Sequence, residues 1–419
     1  MRKQLFLSII GWMMIQSVCS QSVAKKEWNA DLDYLAQELP KQHCNLFAKQ
    51  SKANFLMGIE AIKAASGQLT DLHIALKAQQ LVAGMGDSHT SLSVYQWLKK
   101  DQTLPLGILW LSDGLYIAQT TKNYEPLLGC RLLSINETPI ATVIDSLTTL
   151  FTPDNAAIIK AQIPQLILSF ELLQFFGFAD GGPIRLGVQT QTNENKTYPM
   201  EVAPINRNDI IALKTDTLPF YLKNKKILFT DSYRPQERIY YMQYNACWSR
   251  ELEAQYRDVE RAQQLPSFQE FEERALSVLD KEKVDKIIFD VRLNGGGNSL
   301  QGTAFIEKLA VFLNANPEVK TYVVLGRNTF SSGILNAMDF KRLTNAVFIG
   351  EETAGKPNHF GEVKSFQLPH SELNVSYSTK YFKRSDEEVQ TLKPDVVIEP
   401  GFADFKQGID PVYEWVKKQ

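Results

Sequence analysis

Two short stretches carry residues whose types and spacing suit acyl chemistry. Gly295, Gly296 and Gly297 follow the apolar run Ile287, Ile288, Phe289 and Val291. Successive glycines let backbone N–H groups converge without side-chain obstruction, which suits a negatively charged oxygen. Further along, Thr329, Phe330, Ser331, Ser332 and Gly333 form a small-residue turn directly before the helical spacing of Ile334, Leu335, Met338 and Leu343. A serine in that turn sits at the positive end of a helix dipole, and the Gly333 N–H is expected to be free to donate. A nucleophile and oxyanion donors from Gly333 and from Gly295 or Gly296 would then lie side by side.

A serine nucleophile needs a base, and the sequence offers three residues for that work. Lys356 lies in the loop after the strand-like run AVFIG; on composition alone it reads as a surface lysine, but desolvation in a cleft would lower its pKa. His89 sits in VAGMGDSHTSLSV, where it either hydrogen-bonds the loop together or aims an imidazole into a cleft. Glu388, in the polar run Ser385 to Glu388, either orients a histidine or belongs to a solvated turn.

The elements that must position these groups follow from periodicity. Lys286 to Val291 reads as a strand buried on both faces, Leu300 to Phe312 as a helix, and Tyr322 to Leu325 as a second buried strand. Such a β-loop-α-β unit places its loops at the carboxyl ends of parallel strands, where open α/β sheets bind ligands. Residues 21–100 read as a helical N-terminal domain and 103–205 as an α+β module containing one long apolar helix from Ala156 to Phe176. Residues 206–230 read as a linker, and 231–419 as the catalytic domain, beginning with the strand RIYYMQYNACW.

The chain of 419 residues is too long for one ordinary core. Its 44% hydrophobic and 22% charged content is that of a globular protein, and a net charge of -2 gives no sign of a nucleic-acid partner. Residues 1–20 read as a signal peptide: Arg2 and Lys3 precede an apolar run, and Val18 and Ser20 supply small residues before a cleavage point at Gln21. The expected product is exported, periplasmic or extracellular, without an integral membrane segment; Cys19 raises a lipoprotein anchor as the lesser alternative. Cys44, Cys130 and Cys247 are too few and too scattered for a disulfide framework and read as buried thiols. A dinucleotide fingerprint would need glycine where Leu300 stands, and no HExxH is present, so neither a cofactor nor a metal is expected.

At these residues the chain resembles the C-terminal processing (tail-specific) serine peptidases and their relative, the tricorn core. Asp290, Arg292, Asn294, Gly296 and Gly297 match the family's D-x-R-x-N-x-G-G motif, and Gly350, Glu351, Thr353, Gly355 and Lys356 match its G-E-x-T-x-G-K element. Asp87, His89 and Thr90 fit its D-x-H-[ST] loop. The resemblance implies an α/β ClpP/crotonase-like catalytic domain and a PDZ-like module over residues 103–205. It implies a serine endopeptidase acting on a polypeptide, with Ser332 as nucleophile and Lys356 as preferred base. His89 oriented by Glu388 is the tricorn-like alternative. The turn Ser331-Ser332-Gly333 departs from the family in lacking an acidic residue after the serine. A catalytically inactive binding protein on the same scaffold, and an acyl hydrolase of non-peptide substrates, are the competing expectations.

Overall fold

The computed structural model describes residues 25–202 and 204–419. The expected signal peptide and the Cys19 anchor lie outside them. Among the described residues no helix is long and apolar enough to cross a membrane.

A six-stranded sheet runs in the spatial order Val396–Val397, Val347–Gly350, Lys320–Leu325, Lys286–Asp290, Ile239–Tyr244, Phe229–Arg234. All neighbours are parallel except the edge strand Phe229–Arg234, which pairs antiparallel to Ile239–Tyr244. The sheet therefore starts one strand earlier than the sequence pattern suggests, because Phe229–Arg234 is mostly polar and half-buried. Ile287 and Phe289 enter one core with Phe271, Phe305 and Phe340, while Ile288 enters another with Tyr322, Val324, Val412 and Val416. Side chains that alternate between two buried layers explain why the strand reads as continuously apolar. The register sets Asp290 beside Val324 and Leu325 beside Gly350, so the loops that follow these strands emerge at one edge.

Residues 106–212 carry a second sheet, antiparallel throughout, ordered Leu106–Leu111, Gly114–Thr121, Arg131–Ile135, Ile184–Gln189, Asn195–Met200. Within the stretch read as a linker, Ile210–Ala212 pairs with Gly114–Thr121. The long helix expected from Ala156 to Phe176 is two helices, Ala156–Leu166 and Phe170–Phe175. The break has a cause in hydrogen bonding: Leu104 N–H donates to the Leu168 carbonyl and Phe170 N–H to the Gln102 carbonyl, and Ser169 turns extended to cap the second helix. A tertiary strand contact outcompetes one helical turn there.

A third sheet joins distant parts of the chain. Ser91–Ser93 pairs with Asn374–Phe382, which pairs in turn with His359–Gln367. Leu368, Leu373 and Val375 thereby share a core with Trp28, Leu32, Leu35 and Leu92. The helical region and the last third of the chain are tied together at the loop bearing His89. Cys130 and Cys247 are buried thiols, but Cys44 is exposed, correcting the expectation for that residue. It lies just after the helix Lys25–Gln42, where the chain turns at the surface.

The motif residues Asp290 and Arg292 build a buried ion network under the site. Arg292 Nε donates to Asp290 Oδ2 at 2.8 Å and its terminal nitrogens to the two Asp410 oxygens at 3.1 and 2.9 Å. Burial holds the Asp290 carboxyl above its ordinary pKa, against the pull of Arg292. Removing one partner of such a pair leaves a buried charge uncompensated. Arg292→Ala, which leaves the Asp290 and Asp410 carboxylates without their shared cation, should therefore lower unfolding free energy by about 3 kcal/mol in urea titrations; an unchanged midpoint would show that the network contributes nothing.

Candidate active site

Asn294 joins the glycine loop to the serine turn. Its Oδ1 accepts the Gly296 N–H at 2.9 Å, its Nδ2 donates to the Tyr244 carbonyl at 2.9 Å, and its own carbonyl accepts the Phe330 N–H at 2.9 Å. The Phe330 carbonyl accepts the Gly333 N–H at 2.9 Å, closing a tight turn before the helix Ser332–Leu343. Inside that turn Ser331 has φ 51° and ψ −124°. A residue with a Cβ held there costs roughly 1–3 kcal/mol, which the surrounding hydrogen bonds must offset. Gly296, itself at φ +111°, lies so close that a Cβ on it would sit 2.8 Å from the Ser331 Cβ. Only glycine lets the loop approach the turn this closely.

The two serines have different environments. Ser332 is buried, and its Oγ donates to the Gly297 carbonyl at 2.7 Å, binding the helix start to the glycine loop. Ser331 is half-buried and its hydroxyl caps no backbone group. The Ser332 N–H, at the first helical position, has no acceptor among the described residues. Of the expected oxyanion donors, Gly296 N–H is engaged by Asn294 and Gly333 N–H by Phe330. Gly295 N–H has no acceptor among the described residues, nor has that of Gly297. Among the described residues the Ser331 hydroxyl is free, and so is the Ser332 amide beside it.

The loop carrying His89 is held by Asp87. Asp87 Oδ1 accepts the His89 N–H at 3.0 Å, and Oδ2 accepts the Thr90 hydroxyl at 2.5 Å and the Ser378 hydroxyl at 2.6 Å. His43 completes the set at 3.0 Å; its Nδ1 accepts the Asn45 N–H, so Nε2 carries the proton given to Asp87. Burial alone would raise the Asp87 pKa, but these donors outweigh it and keep the carboxyl well below the usual range. With Asp87 bracing the loop, the His89 ring has no such duty. Both its nitrogens are buried without a hydrogen-bond partner among the described residues. The ring is stacked between Phe330, at 4.5 Å between centroids, and His359, at 5.3 Å. Phe330 immediately precedes Ser331, so this stack brings the imidazole to the serine turn.

Burial lowers the His89 pKa to about 4, helped by His359 and Lys356 and opposed by Asp87 and Asp154. At neutral pH the ring is uncharged and able to accept a proton. Lys356 is differently placed: its Nζ lies 2.5 Å from Asp154 Oδ1, with both side chains buried. Burial would lower its pKa, but the Asp154 carboxylate outweighs this and keeps it above the ordinary lysine value. An ammonium so paired has no lone pair to accept a proton. Glu388 Oε1 accepts from Asn358 Nδ2 at 3.0 Å and from the Tyr381 hydroxyl at 3.2 Å, with no hydrogen bond to a histidine among the described residues. It lines, with Asp87, Ser88, Lys356 and His359, a cavity of about 540 Å³. Asp154 and His359 had no signal in the sequence; each enters the site through a contact between segments far apart in the chain. Among the described residues no cluster of His, Cys, Asp or Glu is placed to hold a metal ion.

No family model and no curated protein sequence matches the chain. Solved structures do. Mature CPAF complexed with lactacystin is 12% identical, with 94% of this chain and 98% of that chain covered and a TM-score of 0.65. A serine-to-alanine mutant of CPAF is 12% identical over 94% of this chain and 97% of that chain, with a TM-score of 0.64. The photosystem II D1 C-terminal processing protease matches at 12% identity over 92% of this chain and 98% of that chain, with a TM-score of 0.39. The described chain thus has the fold of CPAF over nearly its whole length.

Carbon-detected NMR titration of the histidine rings gives a direct check on the buried imidazole. The His89 Cε1 shift should stay at its neutral value from about pH 8 to about pH 5. A midpoint near the ordinary histidine value would mean that the ring is solvated and the cleft open.

Proposed function

We propose that the chain is an exported serine endopeptidase of the tail-specific type, hydrolysing peptide bonds with Ser331 as nucleophile and His89 as general base. The observation that carries this reading is the conformation of Ser331: a strained turn at a helix start, a free hydroxyl, and an unpaired amide on the next residue. Backbone strain of this kind persists where the surrounding structure over-determines it, and such sites cluster at catalytic centres. The fold shared with CPAF supports the peptidase class. In this reading the six-stranded domain is ClpP/crotonase-like and residues 103–205 are PDZ-like.

The expected nucleophile Ser332 is set aside because its hydroxyl donates to the Gly297 carbonyl. Lys356 is set aside as base because it is paired with Asp154. Ser331 Oγ attacks the substrate carbonyl carbon while its proton passes to His89. The developing oxyanion is held by the Ser332 N–H, backed by the loop amides of Gly295 and Gly297. The imidazolium then gives its proton to the departing amine as the carbon–nitrogen bond breaks. A water molecule repeats the sequence on the acyl-enzyme.

Purified protein beginning at Gln21 should cleave an unfolded polypeptide and react with a fluorophosphonate probe. Lactacystin, with which mature CPAF was complexed, should compete with that probe. Ser331→Ala should lower turnover on the order of a millionfold, as loss of a serine nucleophile does, and should abolish labelling. Ser332→Ala should stay within about tenfold of wild type, since it removes only one neutral hydrogen bond. The reverse pattern would return the nucleophile to Ser332. Wild type that neither cleaves nor labels would favour a binding protein on this scaffold.

A further inference from the structure

Asp154 is a buried carboxylate whose partners among the described residues are lysines alone. Its side chain is 1% exposed, yet among the described residues no amide or hydroxyl donates to either oxygen. Its partners are ammonium groups: Lys356 at 2.5 Å and Lys49 at 3.8 Å. A buried carboxylate that no amide or hydroxyl serves calls for a specific account. The His89 ring, on which the Asp154 charge acts, has both nitrogens buried and unpaired among the described residues.

The surrounding contacts hold Asp154 against the histidine loop. Thr152 Oγ1 donates to the Ala83 carbonyl at 2.8 Å and the Asp87 carbonyl at 3.2 Å. On the other side, Asn155 Nδ2 donates to the Thr353 carbonyl at 3.0 Å and the Gln390 carbonyl at 2.8 Å. Lys356, the closer partner of Asp154, accepts with its carbonyl the Nδ1–H of His359, the ring stacked on His89. Two other carboxylates of this neighbourhood are already occupied. Asp87 is filled by His43, Thr90, Ser378 and the His89 amide, and Glu388 by Asn358 and Tyr381.

The geometry points to Asp154 as the positioning carboxylate of the site, accepting the second ring N–H of His89 when that ring takes the Ser331 proton. The inference rests on the Ser331–His89 reading above. The proton balance is simple. One ring nitrogen takes the hydroxyl proton and later delivers it to the leaving amine, while the other keeps its own proton, shared with Asp154. Lys356 remains an ammonium throughout and stays paired with Asp154 between turnovers. Glu388, the orienting residue expected from the sequence, stays with Asn358 and Tyr381.

The test uses the full mature chain and compares Asp154→Asn, Asp154→Glu and Lys356→Met, each confirmed folded by circular dichroism. The charged groups acting on His89 are Asp87 and Asp154, Lys356, and His359 when protonated. Deleting Asp154 removes an attraction for a protonated ring, and deleting Lys356 removes a repulsion. Asp154→Asn should lower kcat roughly a hundredfold to ten-thousandfold with little change in KM, as loss of an orienting carboxylate does. It should also move the acid limb of kcat/KM to lower pH. Asp154→Glu should recover most of the loss, and Lys356→Met should move the same limb to higher pH. A merely structural Asp154 would leave that limb in place, and full kcat in Asp154→Asn would overturn the proposal. Lys356→Met without turnover would overturn it too, by making the lysine the base. The His89 NMR titration in each variant reads the same shifts without any substrate. Failure of the peptidase reading, seen as Ser331→Ala equal to wild type, is thereby separated from failure of this one.

Discussion

Everything at the site depends on holding Ser331 in a backbone conformation that a residue with a Cβ resists. The turn from Phe330 to Gly333 is closed by its own hydrogen bond and fastened to the Asn294 carbonyl, while Ser332 Oγ fastens the helix start to the Gly297 carbonyl. Asn294 is held in turn by Tyr244, on the adjacent strand. These bonds cross between strands that pair in parallel, so the strain at one residue is offset by the sheet. A hydroxyl presented in this way is free because its neighbours have taken every structural task.

Burial sorts the ionisable groups of the cleft into roles. Two positive charges and one carboxylate meet at Lys49, Lys356 and Asp154, and burial together with Lys356 lowers the Lys49 pKa while Lys356 stays charged. The histidine takes the opposite course. Enclosed by Phe330 and His359, it gives up its charge and keeps a lone pair. Burial acts against charge on both groups; the Asp154 carboxylate outweighs it at Lys356, and no neighbour outweighs it at His89. Only the arrangement of partners separates the two outcomes.

The architecture explains how residues nearly 300 positions apart reach one cleft. Asp87 binds Ser378 because the strand Ser91–Ser93 joins the hairpin Asn374–Phe382. The cores of the helical region and of that hairpin are continuous, so the histidine loop is not carried on a separate arm. The segment Thr152–Asn155 wedges between the Asp87 loop and the Thr353 carbonyl, where it brings Asp154 into the charge cluster.

Much of this was legible in the order of residues. The buried strand Lys286–Asp290, the glycine loop, the serine turn opening a helix, and His89 in its glycine-bounded loop all follow from local rules: alternating burial, glycine conformational freedom and helix-end electrostatics act within a few residues. Which of Ser331 and Ser332 keeps a free hydroxyl was not legible, because it turns on which of them meets the Gly297 carbonyl, a contact across 35 positions. The state of Lys356 was not legible either, since its pKa is raised against burial by Asp154, from the loop before the helix Ala156–Leu166. The broken helix after Leu166 has the same origin, in strand contacts to residues 102–104. Sequence determined which chemical groups the chain brings to the strand ends, because backbone propensities are local. Tertiary structure decided which of them is free, charged or strained, because hydrogen bonds and desolvation depend on neighbours that only folding supplies.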